Sequence, residues 1–144
     1  VQQAVSFFTV STPDLDSAWR FYVEGLGWEP KMNVPGEVIF FQVAPGVILA
    51  FFEAGHFVAD LGEGGAGGES EPRGFTLAYN VGSPEEVDRV LNDAAAAGGT
   101  IVKPGQYASF GGYHGHFADP NGVLWEVAHN PGWSVDEDGT VHLS

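Results

Sequence analysis

Glu126 is the residue from which chemistry in this chain has to be argued. It stands in Val123-Leu124-Trp125-Glu126-Val127, one carboxylate inside an apolar run. A charge in mid-strand must find a partner, face a cavity or change its pKa. Such a group can orient or deprotonate a bound ligand, or it can tie neighbouring strands together. Two imidazoles, His114 and His116, lie two apart just upstream, so on a strand they share one face. Between them and Glu126 comes Asp119-Pro120-Asn121-Gly122. Pro presets φ, Asn tolerates unusual dihedrals and Gly absorbs a positive φ, so residues 113–117 and 123–127 read as a hairpin.

The register of that hairpin decides what the histidines can do. A two-residue loop pairing Asp119 with Gly122 sets Gly115 opposite Glu126 and turns both imidazoles to the other face. A bulge at Gly122 shifts the pairing by one and sets His114 opposite Glu126. In that case His114, His116 and Glu126 form an improvised metal or acid–base site. Structural histidines at the surface are the plainer reading. His56, His129 and His142 have no second ligand at metal spacing; His56 and His142 read as solvated, and His129 as a cap on the strand end.

The elements that must position these groups come in two sets. Residues 5–10 read as a strand leading to Thr12, an expected N-cap with Pro13 at the first helical position. Leu15, Ala18, Trp19 and Tyr22 recur at helical spacing, and Gly25 and Gly27 offer a stop. Strands follow over 28–34, 38–43 and 47–53, broken by Pro35-Gly36 and Pro45-Gly46. Residues 54–73, with the glycine-rich run 62–68, read as a linker or lid. Then the pattern restarts. Residues 75–81 form a strand, Ser83-Pro84-Glu85-Glu86 a capping box, and Val87, Val90, Leu91 and Ala94 a buried stripe ended by Gly98-Gly99. Strands over 100–107, 113–118 and 123–128 complete the second set.

Each half therefore reads strand, helix, strand, strand, strand, an internal repeat. The expected architecture is α+β: two βαβββ modules, 1–53 and 74–130, forming a curved mixed sheet with helices on the convex side and a concave ligand cleft. A tail, 131–144, adds a turn at 136–139 and a short strand over 140–143. A curved apolar wall with few polar groups is a small-molecule pocket by default.

The totals narrow the function. The 144 residues are one domain's worth, and 44% apolar content supports a core. A net charge of −14 with five Lys and Arg argues against nucleic acid, because nothing neutralises a row of phosphates. An acidic surface attracts cationic ligands, although solubility alone accounts for it. No apolar run approaches a membrane span and no signal peptide is visible. The absence of cysteine excludes disulfides and fits a reducing, cytoplasmic setting.

With these residues in place the chain resembles the vicinal oxygen chelate superfamily, which includes glyoxalase I, bleomycin-resistance proteins and extradiol dioxygenases. The resemblance rests on Phe7-Phe8-Thr9-Val10 leading to Asp14-Leu15 and Arg20-Phe21-Tyr22, and on Gly25-Leu26-Gly27-Trp28. Leu49-Ala50-Phe51-Phe52-Glu53, and Asp119-Pro120-Asn121-Gly122 followed by Trp125-Glu126, complete it. Metal enzymes of that superfamily take one ligand from each of four strands, usually His, Glu or Gln. The resemblance places those positions on Phe7, Ala50, Thr76 (Phe75 if the alignment slips) and Glu126. Only the last has metal chemistry, and a catalytic zinc needs about three protein ligands.

The resemblance therefore implies a metal-free, non-enzymatic homodimer of the bleomycin-resistance type with no cofactor. It would bind an aromatic small molecule, neutral or cationic, through Phe7, Thr9, Ala50, Phe52, Thr76, Phe110, Tyr113 and Glu126. The alternative is a lyase, isomerase or dioxygenase with one divalent metal on His114, His116 and Glu126, or with Glu126 alone as general base. A partner protein using the cleft is a third reading.

Overall fold

The structure, a computed structural model, describes residues 3, 5–61, 75–109 and 111–143, with the backbone alone at 60 and 61. The glycine-rich run 62–68 and Phe110 lie outside the described residues. The chain divides into two compact units, Val1–Arg73 and Gly74–Ser144. Each holds one four-stranded mixed sheet with helices, which makes the architecture α+β.

The first unit runs β1 (Phe7–Thr12), α1 (Leu15–Trp19), a π-helical segment (Arg20–Gly25), β2 (Met32–Val34), β3 (Val38–Ala44), β4 (Val47–Glu53) and α2 (Ala54–Leu61). Its strand order is β1-β4-β3-β2, with β1 parallel to β4 and the rest antiparallel. The central strand β4, Val-Ile-Leu-Ala-Phe-Phe-Glu, is flanked on both sides, which suits its continuous apolar run.

Asp14, not Thr12, caps α1. Its carboxylate accepts from the Ser17 N–H at 3.1 Å and the Ser17 hydroxyl at 2.6 Å. Thr12 still belongs to β1, fully buried, and its hydroxyl donates to the Val10 carbonyl at 3.1 Å. Beyond Trp19 the helix widens into π turns, and Leu26 N–H reaches back to the Phe21 carbonyl at 2.8 Å. Phe21 joins Leu15, Ala18 and Tyr22 in the core, and Trp19, expected in the buried stripe, is left half-buried. Tyr22 stacks on Phe51 at 4.5 Å and also meets Phe41 and Trp28. Burying a side chain of this size stabilises by about 1.5–3 kcal/mol. Residues 54–61, expected as the start of the linker, form α2 instead.

The second unit repeats the order: β5 (Leu77–Asn80), α3 (Pro84–Ala96), β6 (Thr100–Tyr107), β7 (Tyr113–Ala118) and β8 (Leu124–His129), arranged β5-β8-β7-β6. Ser83 caps α3 by accepting from Glu86 N–H at 3.2 Å, and the Glu86 carboxylate accepts from Gly82 N–H at 3.1 Å. Val87, Leu91 and Ala94 are buried on one side of α3. In the sheet, Phe117, Trp125 and Val127 are buried, the first two stacked at 6.0 Å. A Cβ built on Gly115 would lie 2.6 Å from Leu91 Cδ1, so residues 113, 115 and 117 of β7 face α3. The tail pairs β9 (Ser134–Val135) with β10 (Val141–His142). No helix among the described residues is long and apolar enough to cross a membrane.

Candidate functional site

The hairpin between β7 and β8 closes through a three-residue loop. Asp119 N–H donates to the Val123 carbonyl at 2.9 Å, and Gly122 N–H to the Asp119 carbonyl at 3.0 Å. Gly122 takes φ +85°, the left-handed residue that follows a type I turn in such loops. The Asp119 carboxylate accepts from Asn121 and Val123 N–H at 2.9 and 2.8 Å, which fixes the loop. Both expected registers are therefore corrected. The pairing sets His116 opposite Glu126 and His114 opposite Ala128, the one-residue shift running the other way from that expected for a bulge. The consequence for the faces is the same: His114, His116 and Glu126 share the side of the sheet turned away from α3.

Within that cluster, His114 Nδ1 lies 3.0 Å from Glu126 Oε2, and His116 Nε2 lies 3.6 Å from the same oxygen. The other nitrogen of His114, Nε2, is 3.4 Å from Lys103 Nζ. An ammonium only donates, so Nε2 accepts, Nδ1 carries the proton, and that proton is donated to Glu126. The side chains of His114 and Glu126 are 12% and 31% exposed, so a ligand reaches the carboxylate more readily than the imidazole. Burial pushes the His116 pKa below its usual 6.5; Glu126 pulls it back up, while His114 and Lys103 push it further down. His116 is accordingly a neutral imidazole at neutral pH, able to accept a proton or a hydrogen bond.

Lys103 is the site residue that the sequence reading missed. Strict alternation from Ile101, which pairs with Phe117, would turn Lys103 toward α3. Register shifts on both sides of Lys103 instead place it opposite His116. Pro104-Gly105 within a strand pattern was the available signal, since both residues mark bulges.

In the first unit, Thr9 pairs with Ala50, and Phe7 and Phe52 lie on the same side of the sheet, away from Tyr22 and α1. Phe7 is 53% exposed and meets Phe40 edge-on at 6.0 Å. The repeat aligns the two faces residue by residue. Ala50 stands opposite Thr9, five residues before the cap Asp14; Glu126 stands opposite Ala78, five before the cap Ser83. Phe40 opposite Ala50 answers to His116 opposite Glu126. One face is thus apolar in the first unit and carries imidazoles and a carboxylate in the second.

The remaining expected residues divide. Thr76 is exposed just before β5. Tyr113 faces α3, where its hydroxyl donates to Asp88 Oδ1 at 2.8 Å, so the structure sets it on the opposite side from Glu126. His129 Nδ1 donates to the Val81 carbonyl at 3.2 Å, while exposed His56 and His142 pair with Glu53 and Asp136.

The four positions implied for a metal do not fit one. Phe7 and Ala50 offer no ligand atom, Thr76 a neutral hydroxyl, and Glu126 one carboxylate. Among the described residues, His114, His116 and Glu126 do form a group whose ligand atoms lie within 4.8 Å of one another.

Residues 4–127 match the family described as glyoxalase/bleomycin resistance protein/dioxygenase superfamily. The fold superposes on a glyoxalase-related enzyme from Fulvimarina pelagi with a TM-score of 0.87 and 37% identity over 98% of both chains. A glyoxalase/bleomycin resistance protein/dioxygenase from Nocardioides gives 0.70 and 27%, covering 90% of this chain and 84% of that one. A lactoylglutathione lyase from Agrobacterium tumefaciens gives 0.67 at 20% identity, covering 90% and 96%, a likeness of fold alone. No protein of curated function matches.

Proposed function

The chain belongs to the glyoxalase/bleomycin resistance protein/dioxygenase superfamily, and from that premise we propose that it binds an aromatic small molecule without the family's metal ion, in the manner of a drug-sequestering protein. The observation that carries this reading is at the first metal-ligand position. There Phe7 is half-exposed and braced edge-on by Phe40, where a chelating side chain would stand. Exposed aromatic faces favour flat, unsaturated ligands that gain from stacking. Taken by itself, the second unit offers a carboxylate acceptor at Glu126 and a neutral imidazole at His116. Family membership also supports pairing of two copies, which light scattering reads directly.

Titration with a panel of planar polycyclic compounds, followed by tryptophan fluorescence, tests the reading. Saturable binding at roughly micromolar Kd that weakens on Phe7→Ala is expected. A flat response across the panel would overturn it.

A second reading is favoured by the cluster of His114, His116 and Glu126: a metal-dependent lyase, isomerase or dioxygenase. An ion there would have to replace the His114 Nδ1 proton and leave Nε2 a donor facing the Lys103 ammonium. That conflict is why we prefer the metal-free reading. Metal analysis of protein purified without a His tag separates the two. Stoichiometric zinc, nickel, manganese or iron that disappears in Glu126→Ala would establish the second.

A further inference from the structure

We infer that Lys103 is the recognition group for an oxyanion, a carboxylate or phenolate, on the small molecule that the second unit binds; this rests on the aromatic-ligand reading above and narrows its ligand class. The backbone makes the first argument. β6 pairs regularly with β7 at Thr100 and Ile101, slips before Lys103, and slips again before Gln106. Bulges forfeit ladder hydrogen bonds and re-aim side chains. Here the residue re-aimed is one of only five Lys and Arg in the chain. It is delivered beside His114, His116 and Glu126 rather than into the face covered by α3.

The partner of the ammonium makes the second argument. The chain has 19 acidic residues. Among the described residues none brings a carboxylate within ion-pair distance of Lys103 Nζ. Its contact is the lone pair of His114 Nε2 at 3.4 Å, a long hydrogen bond to a neutral acceptor. An ammonium has three donors, and charge-assisted bonds to oxyanions are about twice as strong as neutral ones. A half-buried cation held by an imidazole is therefore a site whose best partner comes from outside.

The net charge of −14 points the other way, toward a cationic ligand, but the two effects act at different ranges. Charges farther away than a Debye length, about 8 Å at physiological ionic strength, are largely screened. Lys103 acts at contact. Glu126, one imidazole away, accepts from a ligand hydroxyl or N–H beside the anionic group. The ligand class is then a planar acid carrying a neighbouring hydrogen-bond donor.

Calorimetric titration of the full chain at neutral pH and low salt, with 2-naphthoate, 2-naphthamide and 2-naphthylmethylammonium, tests this. Naphthoate should bind at least about tenfold tighter than the amide, the value expected for one charge-assisted hydrogen bond, and the ammonium weakest. Lys103→Met should abolish the preference of naphthoate over the amide, with an unchanged circular-dichroism spectrum and denaturation midpoint reporting that the fold is intact. Lys103→Arg should keep the preference. Equal binding of naphthoate and amide, tighter binding of the ammonium, or a preference that survives Lys103→Met overturns the role of Lys103 while aromatic binding stands. If none of the three binds, both readings fall together.

Discussion

His114 stands diagonal to Glu126 across β7 and β8, yet its Nδ1 approaches the carboxylate to 3.0 Å, closer than the 3.6 Å of the directly opposed His116. The preference follows from what lies behind each ring. Lys103 holds His114 Nε2 as an acceptor and so turns its protonated nitrogen toward Glu126. His116 is left to respond to the charges around it. Glu126→Gln should lower the His116 pKa further, and Lys103→Met should raise it, because the first stabilises and the second disfavours the imidazolium. Titration of the imidazole C–H resonances by NMR reads both shifts. An unmoved pKa in both variants would show that burial alone governs His116, and shifts of the same sign would overturn the roles given to the two charges.

The same histidine makes folding depend on pH. His116 has its pKa depressed below 6.5 in the folded chain, so between the two values the unfolded chain binds more protons. Its contribution to stability is complete above 6.5 and is lost as pH falls through the window below it. His142 runs oppositely. The hydrogen bond from its ring to the Asp136 carboxylate raises its pKa, so its contribution is complete below 6.5 and lost as pH rises through the folded value. Being exposed, it is the more screened of the two. In chemical denaturation across this range, His116→Asn should remove a decline on the acid side, and His142→Asn a smaller one on the alkaline side. The reverse pattern would refute both signs.

At Gly115 the sheet passes close beneath α3. A Cβ there would meet Leu91 Cδ1 at 2.6 Å and the Lys103 carbonyl at 2.8 Å. Leu91 can rotate, but the carbonyl is backbone. Gly115→Ala should therefore cost about 1–3 kcal/mol, the usual penalty for overpacking, and displace the very bulge that aims Lys103. Denaturant midpoints should fall without a change of slope. A neutral result would mean that β6 gives way freely.

Much of this architecture was legible in the chain, and the reasons are local. Pro-Gly pairs and glycine stops punctuate the strands, and the duplicated order requires no long-range information. Register was not legible at the same level. Asp119-Pro120-Asn121-Gly122 announces a turn, but whether two or three residues lie outside the ladder depends on Gly122 taking a positive φ and on Asp119 accepting from two N–H groups. Lys103 was hidden for a related reason, because its face is set by bulges that break alternation. The N-cap moved from Thr12 to Asp14 because Thr12 is the last residue of β1, buried and bonded to its own strand. Helix α2 escaped notice beside its glycine-rich neighbour.

Asp119 is 4% exposed and accepts from the N–H groups of Asn121 and Val123. Asp119→Ala leaves the buried Val123 donor without its partner, at about 1–3 kcal/mol. It also frees the loop that sets the register, so the His114–Glu126 contact should loosen with it. Broadened NMR signals for both residues, alongside a lower unfolding midpoint, are the expected result. Lost stability with sharp, unshifted signals would separate the loop from the site.

Glu53 ends β4 and opens α2 in one side chain. Its carboxylate accepts from the backbone N–H groups of Gly55 and His56 and from the His56 ring, and these bonds hold its pKa down to about 2. A carboxyl depressed in this way stabilises the fold fully above its unfolded value near 4.5 and loses that contribution as pH falls toward 2. The helix it opens is only eight residues long, too short to persist on propensity alone, so loss of the cap should be felt locally. Glu53→Ala should raise amide exchange across 54–61 at neutral pH while leaving β4, tied on both sides by β1 and β3, protected. Wild type should approach the variant's exchange pattern as pH drops below 4.5, after correction for the intrinsic pH dependence of exchange. Uniform acceleration through β4 as well would show that Glu53 holds the sheet rather than the helix.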